Sequence, residues 1–215
     1  MNVGLFGGTF NPFHNGHIGI IEHVKKQYGL EKIFLIPSAT PPHKPDINLA
    51  CANDRFNMVK TSLETFDDFF VSDKELTREG TSFTIDTINE FRNEHDSSTH
   101  FYLLMGSDAF LDITTWKDKD KIFKIVPIII MLRGFWQNYD TITSFIDENI
   151  SKEYIFNRED NGFRHRTKQK ILLCSVPKID ISSTMIRKLV KNRKPIKDLV
   201  PASVEKIITA KELYK

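Results

Sequence analysis

The sequence predicts an α/β protein: a doubly wound parallel sheet with helices on both faces and a small helical segment at the C-terminal end. Three observations predict it. Short, unbroken apolar runs alternate with stretches of helical period, the pattern of strands covered on both faces. A glycine pair, Gly7-Gly8, joins the first apolar run to the first helical stretch, at the kind of crossover where open α/β sheets bind ligands. The composition, 40% hydrophobic and 27% charged over 215 residues, is that of an ordinary globular chain with room for one core.

Taken in order, Val3-Gly4-Leu5-Phe6 reads as a buried strand. Ile18, Ile21, Val24 and Tyr28 then share one helix face, and Gly29 closes that helix. Ile33 to Ile36 form a second strand, stopped by Pro37, and a loop with Pro41, Pro42 and Pro45 follows. After Asp54, the residues Phe56, Val59, Leu63 and Phe66 mark a second helix, and Phe69-Phe70-Val71 a short strand. Ile85, Ile88 and Phe91 mark a third helix, with Ser82 or Thr84 as its cap. Strands are expected at Phe101 to Met105, Val126 to Leu132 and Ile171 to Cys174. Helices are expected at Met185 to Val190 and Val204 to Ile208, the second started by Pro201. From about 134 to 170 the rhythm breaks. This stretch is polar, has one helical run near Ile142 to Ile150, and carries Arg164-His165-Arg166, read as a solvated charge run. The expected organisation is a single domain over 1–215, with a polar insertion at about 134–170 and a C-terminal helical part from about 182.

Several classes are disfavoured. Thirty Lys and Arg against 28 Asp and Glu give a formal net charge of +2, too little to steer the chain to nucleic acid or a membrane, so any anion site must be local. The first residues lack the form of a signal peptide, and the longest apolar run, Ile125 to Leu132, contains Pro127 and is too short to span a bilayer. Cys51 and Cys174 make no CxxC pair, which points to the cytoplasm. No metal-ligand cluster of the protein's own is visible. Whether the chain forms a homo-oligomer stays open.

Two strings carry chemistry. The first, Gly7-Gly8-Thr9-Phe10-Asn11-Pro12-Phe13-His14-Asn15-Gly16-His17, follows the first strand and opens the first helix. Glycines let a phosphate approach the backbone, helix-start N–H groups favour an anion, and His14 and His17, three residues apart, can face the same anion. The string is neither a Walker loop nor GxGxxG. The second, Ile181-Ser182-Ser183-Thr184-Met185-Ile186-Arg187, offers hydroxyls at a helix start and a guanidinium one turn on, able to fork onto a phosphate.

Together these strings resemble the (H/T)xGH and ISSTxxR signatures of the nucleotidyltransferase superfamily, and the chain is most similar there to bacterial nicotinate-nucleotide adenylyltransferases. Further matches are Pro41-Pro42-His43-Lys44, Arg78 to Thr87, Gly106-Ser107-Asp108, Trp116 and Leu199-Val200-Pro201. The resemblance implies a Rossmann-like fold and the joining of ATP to nicotinate mononucleotide, giving deamido-NAD and pyrophosphate by direct attack on the α-phosphate. It implies His14, His17 and Arg187 as catalytic residues. Gly7, Gly8, Thr9, Phe10, Gly106, Asp108, Ser183 and Thr184 would bind ATP, Asp108 through a ribose hydroxyl. His43, Lys44, Thr84, Trp116 and Arg133 would bind phosphate and the nicotinate mononucleotide. Magnesium would be carried by ATP, and the partners would be these two small molecules. The chain departs from the family pattern at Asn11, where Asp is common, and at Ser38, Lys117 and Arg133-Gly134-Phe135. Competing readings are an adenylyltransferase with another acceptor, such as nicotinamide mononucleotide or phosphopantetheine, and a non-catalytic nucleotide-binding protein. A fragment of a class I aminoacyl-tRNA synthetase is disfavoured by the near-neutral charge.

Overall fold

The computed structural model describes residues 1–39, 49–133 and 135–215, and the side chains of all of these except 133 and 135–138. The chain divides into two compact units. The first comprises Met1–Phe6, His23–Glu31 and Phe83–Lys178, and the second Gly7–Glu22, Lys32–Ser82 and Ile179–Lys215.

The first unit is built on a sheet. Strands β1 (Asn2–Gly8, entering this unit through residue 6), β4 (His100–Gly106), β5 (Ile128–Arg133) and β8 (Ile171–Val176) lie side by side and parallel. Val3 is in register with Phe101, Leu104 with Ile129, and Ile129 with Leu172. Ile128 to Leu132 are all buried, as expected of a strand covered on both faces. Helices α4 (Thr84–Glu94), α5 (Ser107–Leu111), α6 (Lys119–Ile125) and α7 (Phe135–Asn149) belong to this unit. The N-cap of α4 is Phe83, with extended backbone and no side-chain cap bond, so neither Ser82 nor Thr84 caps it.

The sheet is mixed rather than wholly parallel. The stretch 134–170 supplies α7 and then β6 (Ile155–Asn157) and β7 (Gly162–Arg164), an antiparallel hairpin that continues the sheet beyond β8. Phe163 pairs with Phe156 on one side and Ile171 on the other. Two three-residue strands carry too little alternation to show in sequence. Nor is Arg164-His165-Arg166 simply solvated, because the His165 side chain is only 4% exposed.

In the second unit, β3 (Phe69–Val71) pairs parallel with β2 (Lys32–Pro37), and β2 lies beside the end of β1, where Ser38 N–H donates to the Gly8 carbonyl at 3.0 Å. Helix α1 (Asn15–Tyr28) opens here and ends at Gly29, whose φ of +58° is the left-handed conformation glycine adopts freely. Helices α2 (Ala52–Leu63), α3 (Lys74–Thr77), α8 (Ser183–Lys191) and α9 (Ala202–Ala210) complete the unit. Pro201 sits at the N-cap of α9. Met58 of α2, Ile186 of α8, and Val204 and Ile208 of α9 share one apolar core with Ala50, Ile196, Val200 and Tyr214.

Candidate active site

The second unit brings the two signature strings together. β1 ends at Gly7-Gly8, and the chain turns through Thr9 to His14 before α1 starts. Gly7 is exposed, and a Cβ added there would meet nothing within 4 Å. Phe10 takes a left-handed φ of 48°, costing about 1 kcal/mol or more, and is held there by its buried ring. That ring meets Phe13 edge-on at 5.7 Å and His17 at 5.2 Å.

His14 and His17 stack, with ring centroids 3.6 Å apart and planes 22° from parallel. His14 is buried at 2% exposure and His17 is half-buried. The His14 backbone N–H donates to His17 Nδ1 at 3.2 Å. This bond assigns Nδ1 as acceptor, so the neutral ring carries its proton on Nε2 and offers an N–H donor there. The start of α1 is anchored by Asn15, whose N–H donates to the Leu199 carbonyl at 3.0 Å and whose Nδ2 donates to the Asp198 carbonyl at 3.1 Å. This gives the Leu199-Val200-Pro201 string a local role.

Helix α8 contributes the second string. Ser182 is its N-cap, and its Oγ accepts from Met185 N–H at 3.2 Å. Ser183 Oγ donates to the Pro12 carbonyl at 2.9 Å, and Arg187 Nη1 donates to the Asn11 carbonyl at 2.9 Å. Arg187 Nη2 lies 3.4 Å from Thr184 Oγ1. The guanidinium and the positive end of α8 are thus bonded directly to the loop bearing the two imidazoles.

A buried polar support, which the sequence reading missed, holds this loop. Arg55 is fully buried, and its guanidinium donates to the carbonyls of Thr9, Ala39 and Ala50. Burial pulls its pKa below the usual arginine range, with Tyr214 and Cys51 acting the other way. Asn11 Oδ1 accepts from Ala50 N–H at 3.1 Å and from the Tyr214 hydroxyl at 2.8 Å. Asp54 is bonded by Lys211; burial pushes its carboxyl up, and that bond, helped by Cys51, more than offsets it. The signal for Arg55 was available, since it shares a helix face with the apolar Met58 and Val59. Tyr214 left no pattern, because its contact is 203 residues away in sequence.

Thr84, Gly106, Asp108 and Trp116 all lie in the first unit. Gly106 is the N-cap of α5, and a Cβ there would come 2.5 Å from Asp108 Oδ1, so glycine is what lets the carboxylate fold back over the strand end. Thr84 opens α4. Trp116 is half-buried and ends the 3-10 turn Ile113–Thr115, its N–H donating to the Ile113 carbonyl. Lys117 pairs with Asp86 at 3.1 Å and lies 4.5 Å from the centre of the Phe83 ring, against the start of α4. His43 and Lys44 lie outside the described residues, as does the side chain of Arg133. Among the described residues no group of three His, Cys, Asp or Glu is placed to hold a metal ion, and no helix is long and apolar enough to cross a membrane.

The cytidylyltransferase-like family model matches residues 5–189. A protein of Moorella thermoacetica, named a probable nicotinate-nucleotide adenylyltransferase, is 38% identical over 99% of this chain and 91% of its own length. The chain belongs to that family. A protein of Caldicellulosiruptor saccharolyticus with the same name is 36% identical, with the full length of both chains covered. As a family member the chain is a nucleotidyltransferase. Its fold matches the Plasmodium falciparum nicotinic acid mononucleotide adenylyltransferase complexed with NaAD, at a TM-score of 0.73 and 20% identity, covering 99% of this chain and 97% of that one. The α/β Rossmann-like class read from the sequence is therefore the fold of this enzyme.

Proposed function

We propose that this enzyme joins ATP to nicotinate mononucleotide, giving deamido-NAD and pyrophosphate, and that the loop Gly7–His17 with Ser183, Thr184 and Arg187 holds the triphosphate. One observation carries the residue assignment: Arg187 and Ser183, more than 160 residues from the loop in sequence, bond to the carbonyls of Asn11 and Pro12 beside the paired imidazoles.

In this reading an oxygen of the mononucleotide phosphate attacks the α-phosphorus of ATP. A new phosphorus–oxygen bond forms as the bond to the β-phosphate bridge breaks, and pyrophosphate leaves with the electron pair. Such a step needs positioning and charge neutralisation rather than a covalent nucleophile. His17 supplies the Nε2–H donor to an α-phosphate oxygen, while stacked His14 and the Phe13 ring, 5.2 Å away, hold its plane. Arg187 and the first turn of α8 take up charge on the departing phosphates. The donors gathered here are N–H groups of the loop and the Arg187 guanidinium of α8, which suit phosphate oxygens and not a cation. Magnesium would therefore be held by the triphosphate oxygens themselves, where it supplies further neutralisation.

Asp108 would accept from a ribose hydroxyl, with Gly106 beside it. Trp116 would stack on the pyridine ring, and Thr84 with the uncapped start of α4 would receive its carboxylate. His43, Lys44 and Arg133 complete the assignment to phosphate and mononucleotide. Both units act in this reading as one nucleotidyltransferase domain, working in the cytoplasm, where its free cysteines, Cys51 and Cys174, stay reduced.

The test is steady-state pyrophosphate release at fixed ATP and magnesium, with the nicotinate and nicotinamide mononucleotides side by side. A higher kcat/KM for the nicotinate form is expected. Preference for the amide would reassign the acceptor, and no release with either would remove the proposal.

A further inference from the structure

Arg55 has no assigned part in the reaction, yet its hydrogen bonds are placed where one would be needed. The side chain comes from the first turn of α2 and is fully buried. A buried cation is ordinarily matched by a carboxylate. Arg55 instead donates to three main-chain carbonyls, from Nη1 to Thr9 at 2.9 Å, from Nη2 to Ala39 at 2.8 Å and from Nε to Ala50 at 3.0 Å.

The three acceptors are informative. Thr9 lies in the phosphate loop, directly after Gly8. Ala39 and Ala50 flank the proline-rich stretch that bears His43 and Lys44 in the sequence. Ala50 is held twice, since its N–H donates to Asn11 Oδ1 while its carbonyl accepts from Arg55. Asn11 in turn receives the Tyr214 hydroxyl. A planar guanidinium can reach three acceptors at fixed angles, whereas the ammonium of lysine is a compact point charge that cannot reproduce that fork.

We propose that Arg55 is a positioning residue for adenylyl transfer, fixing Thr9 of the phosphate loop against the two flanks, Ala39 and Ala50, of the His43–Lys44 stretch, with the Asn11–Tyr214 bond as a second tie on the same point. Arg55 acts through the backbone it holds. The inference rests on the reading of Gly7–His17 as the triphosphate site.

The experiment compares the full-length wild type with Arg55→Lys and Tyr214→Phe, well below the melting temperature of each. It measures kcat and the KM for ATP, together with amide hydrogen exchange of residues 7–17 against β4 and β5 as an internal reference. Arg55→Lys is expected to raise the KM for ATP about tenfold or more, to lower kcat, and to speed exchange in residues 7–17 while β4 and β5 stay unchanged. Tyr214→Phe should move the same quantities two- to fivefold. A folded Arg55→Lys protein with both constants within twofold of wild type and unchanged exchange in residues 7–17 overturns the proposal. So does exchange that quickens equally everywhere, which would mark a merely structural role. If Arg55→Lys does not fold, Tyr214→Phe decides, and no change in its KM or exchange counts against the tie. A wild type without turnover defeats the proposed function, while the exchange comparison still judges the tie.

Discussion

Two histidines in this molecule are locked in the same way and end differently. His17 accepts a backbone N–H on Nδ1 from His14. His165, in the hairpin region, accepts on Nδ1 from the N–H groups of Thr167 at 3.1 Å and Lys168 at 3.2 Å. In each, that arrangement puts the proton of the neutral ring on Nε2. His165 Nε2 faces Ser151 Oγ at 3.1 Å and Glu153 at 3.5 Å, both from its own neighbourhood, and the ring is buried against Tyr154. His17 stays half-buried in the first turn of α1, directly after the loop that α8 meets with a guanidinium. A serine beside a histidine is thus no sign of catalysis here. With Nδ1 already accepting, the Nε2–H of His165 donates to its neighbour and cannot take that neighbour's proton.

The contrast is sharpest in turnover. On the proposed role of its Nε2–H as donor to charge that develops during transfer, His17→Ala should lower kcat/KM by about 10²–10⁴-fold with little change in the melting temperature. His165→Ala should do the reverse. Its kcat/KM should stay within about twofold, while Tm falls by several degrees, at about 2–4 °C per kcal/mol in a chain of this size. Steady-state rates and thermal melts of the two variants test this together, and a His165→Ala protein that folds but does not turn over would break the comparison.

The smallest effect is expected at Asp160, where the hairpin region is held by charges near the surface. Asp160 is bonded by Arg164 and, at 3.2 Å, by Lys170. The Arg164 bond, with help from Lys170, holds its carboxyl below the usual aspartate range. A depressed carboxylate stabilises the fold above its unfolded pKa of about 3.9 and loses that contribution as pH falls through the folded value. Asp160→Asn should therefore lower Tm by no more than about 4 °C near neutral pH, and the difference from wild type should shrink once pH drops below about 3.9. A difference that grows on acidification would contradict the pairing.

The parts that could be read in sequence are those with short-range causes. β1, β2, β4, β5 and β8 are unbroken apolar runs, and Gly29 and Ser182 mark helix boundaries by their own chemistry. The two signature strings were also legible, and the fold bonds them to each other through Ser183 and Arg187. The hairpin β6–β7 escaped because three-residue strands in polar surroundings show no period. α5 and α6 escaped because five- and seven-residue helices present barely a turn or two to read. Arg55 and Tyr214 escaped for a different reason. The helix face of Arg55 hinted at its burial, but its bonds to Thr9 and Ala39, and that of Tyr214 to Asn11, join stretches that no local pattern links.

The dependence of the N-terminal loop on distant partners has a consequence for how the protein comes into being. Pro12 and Asn11 wait for Ser183 and Arg187, 171 and 176 positions later, and Asn11 waits further for Tyr214. A ribosome making the chain emits the glycine-histidine loop well before the residues that fasten it. At synthesis rates of about 5–20 residues per second, some ten seconds or more separate the two. The segment Thr9 to His14 therefore leaves the ribosome without these bonds and gains them only once α8 and Tyr214 have been made.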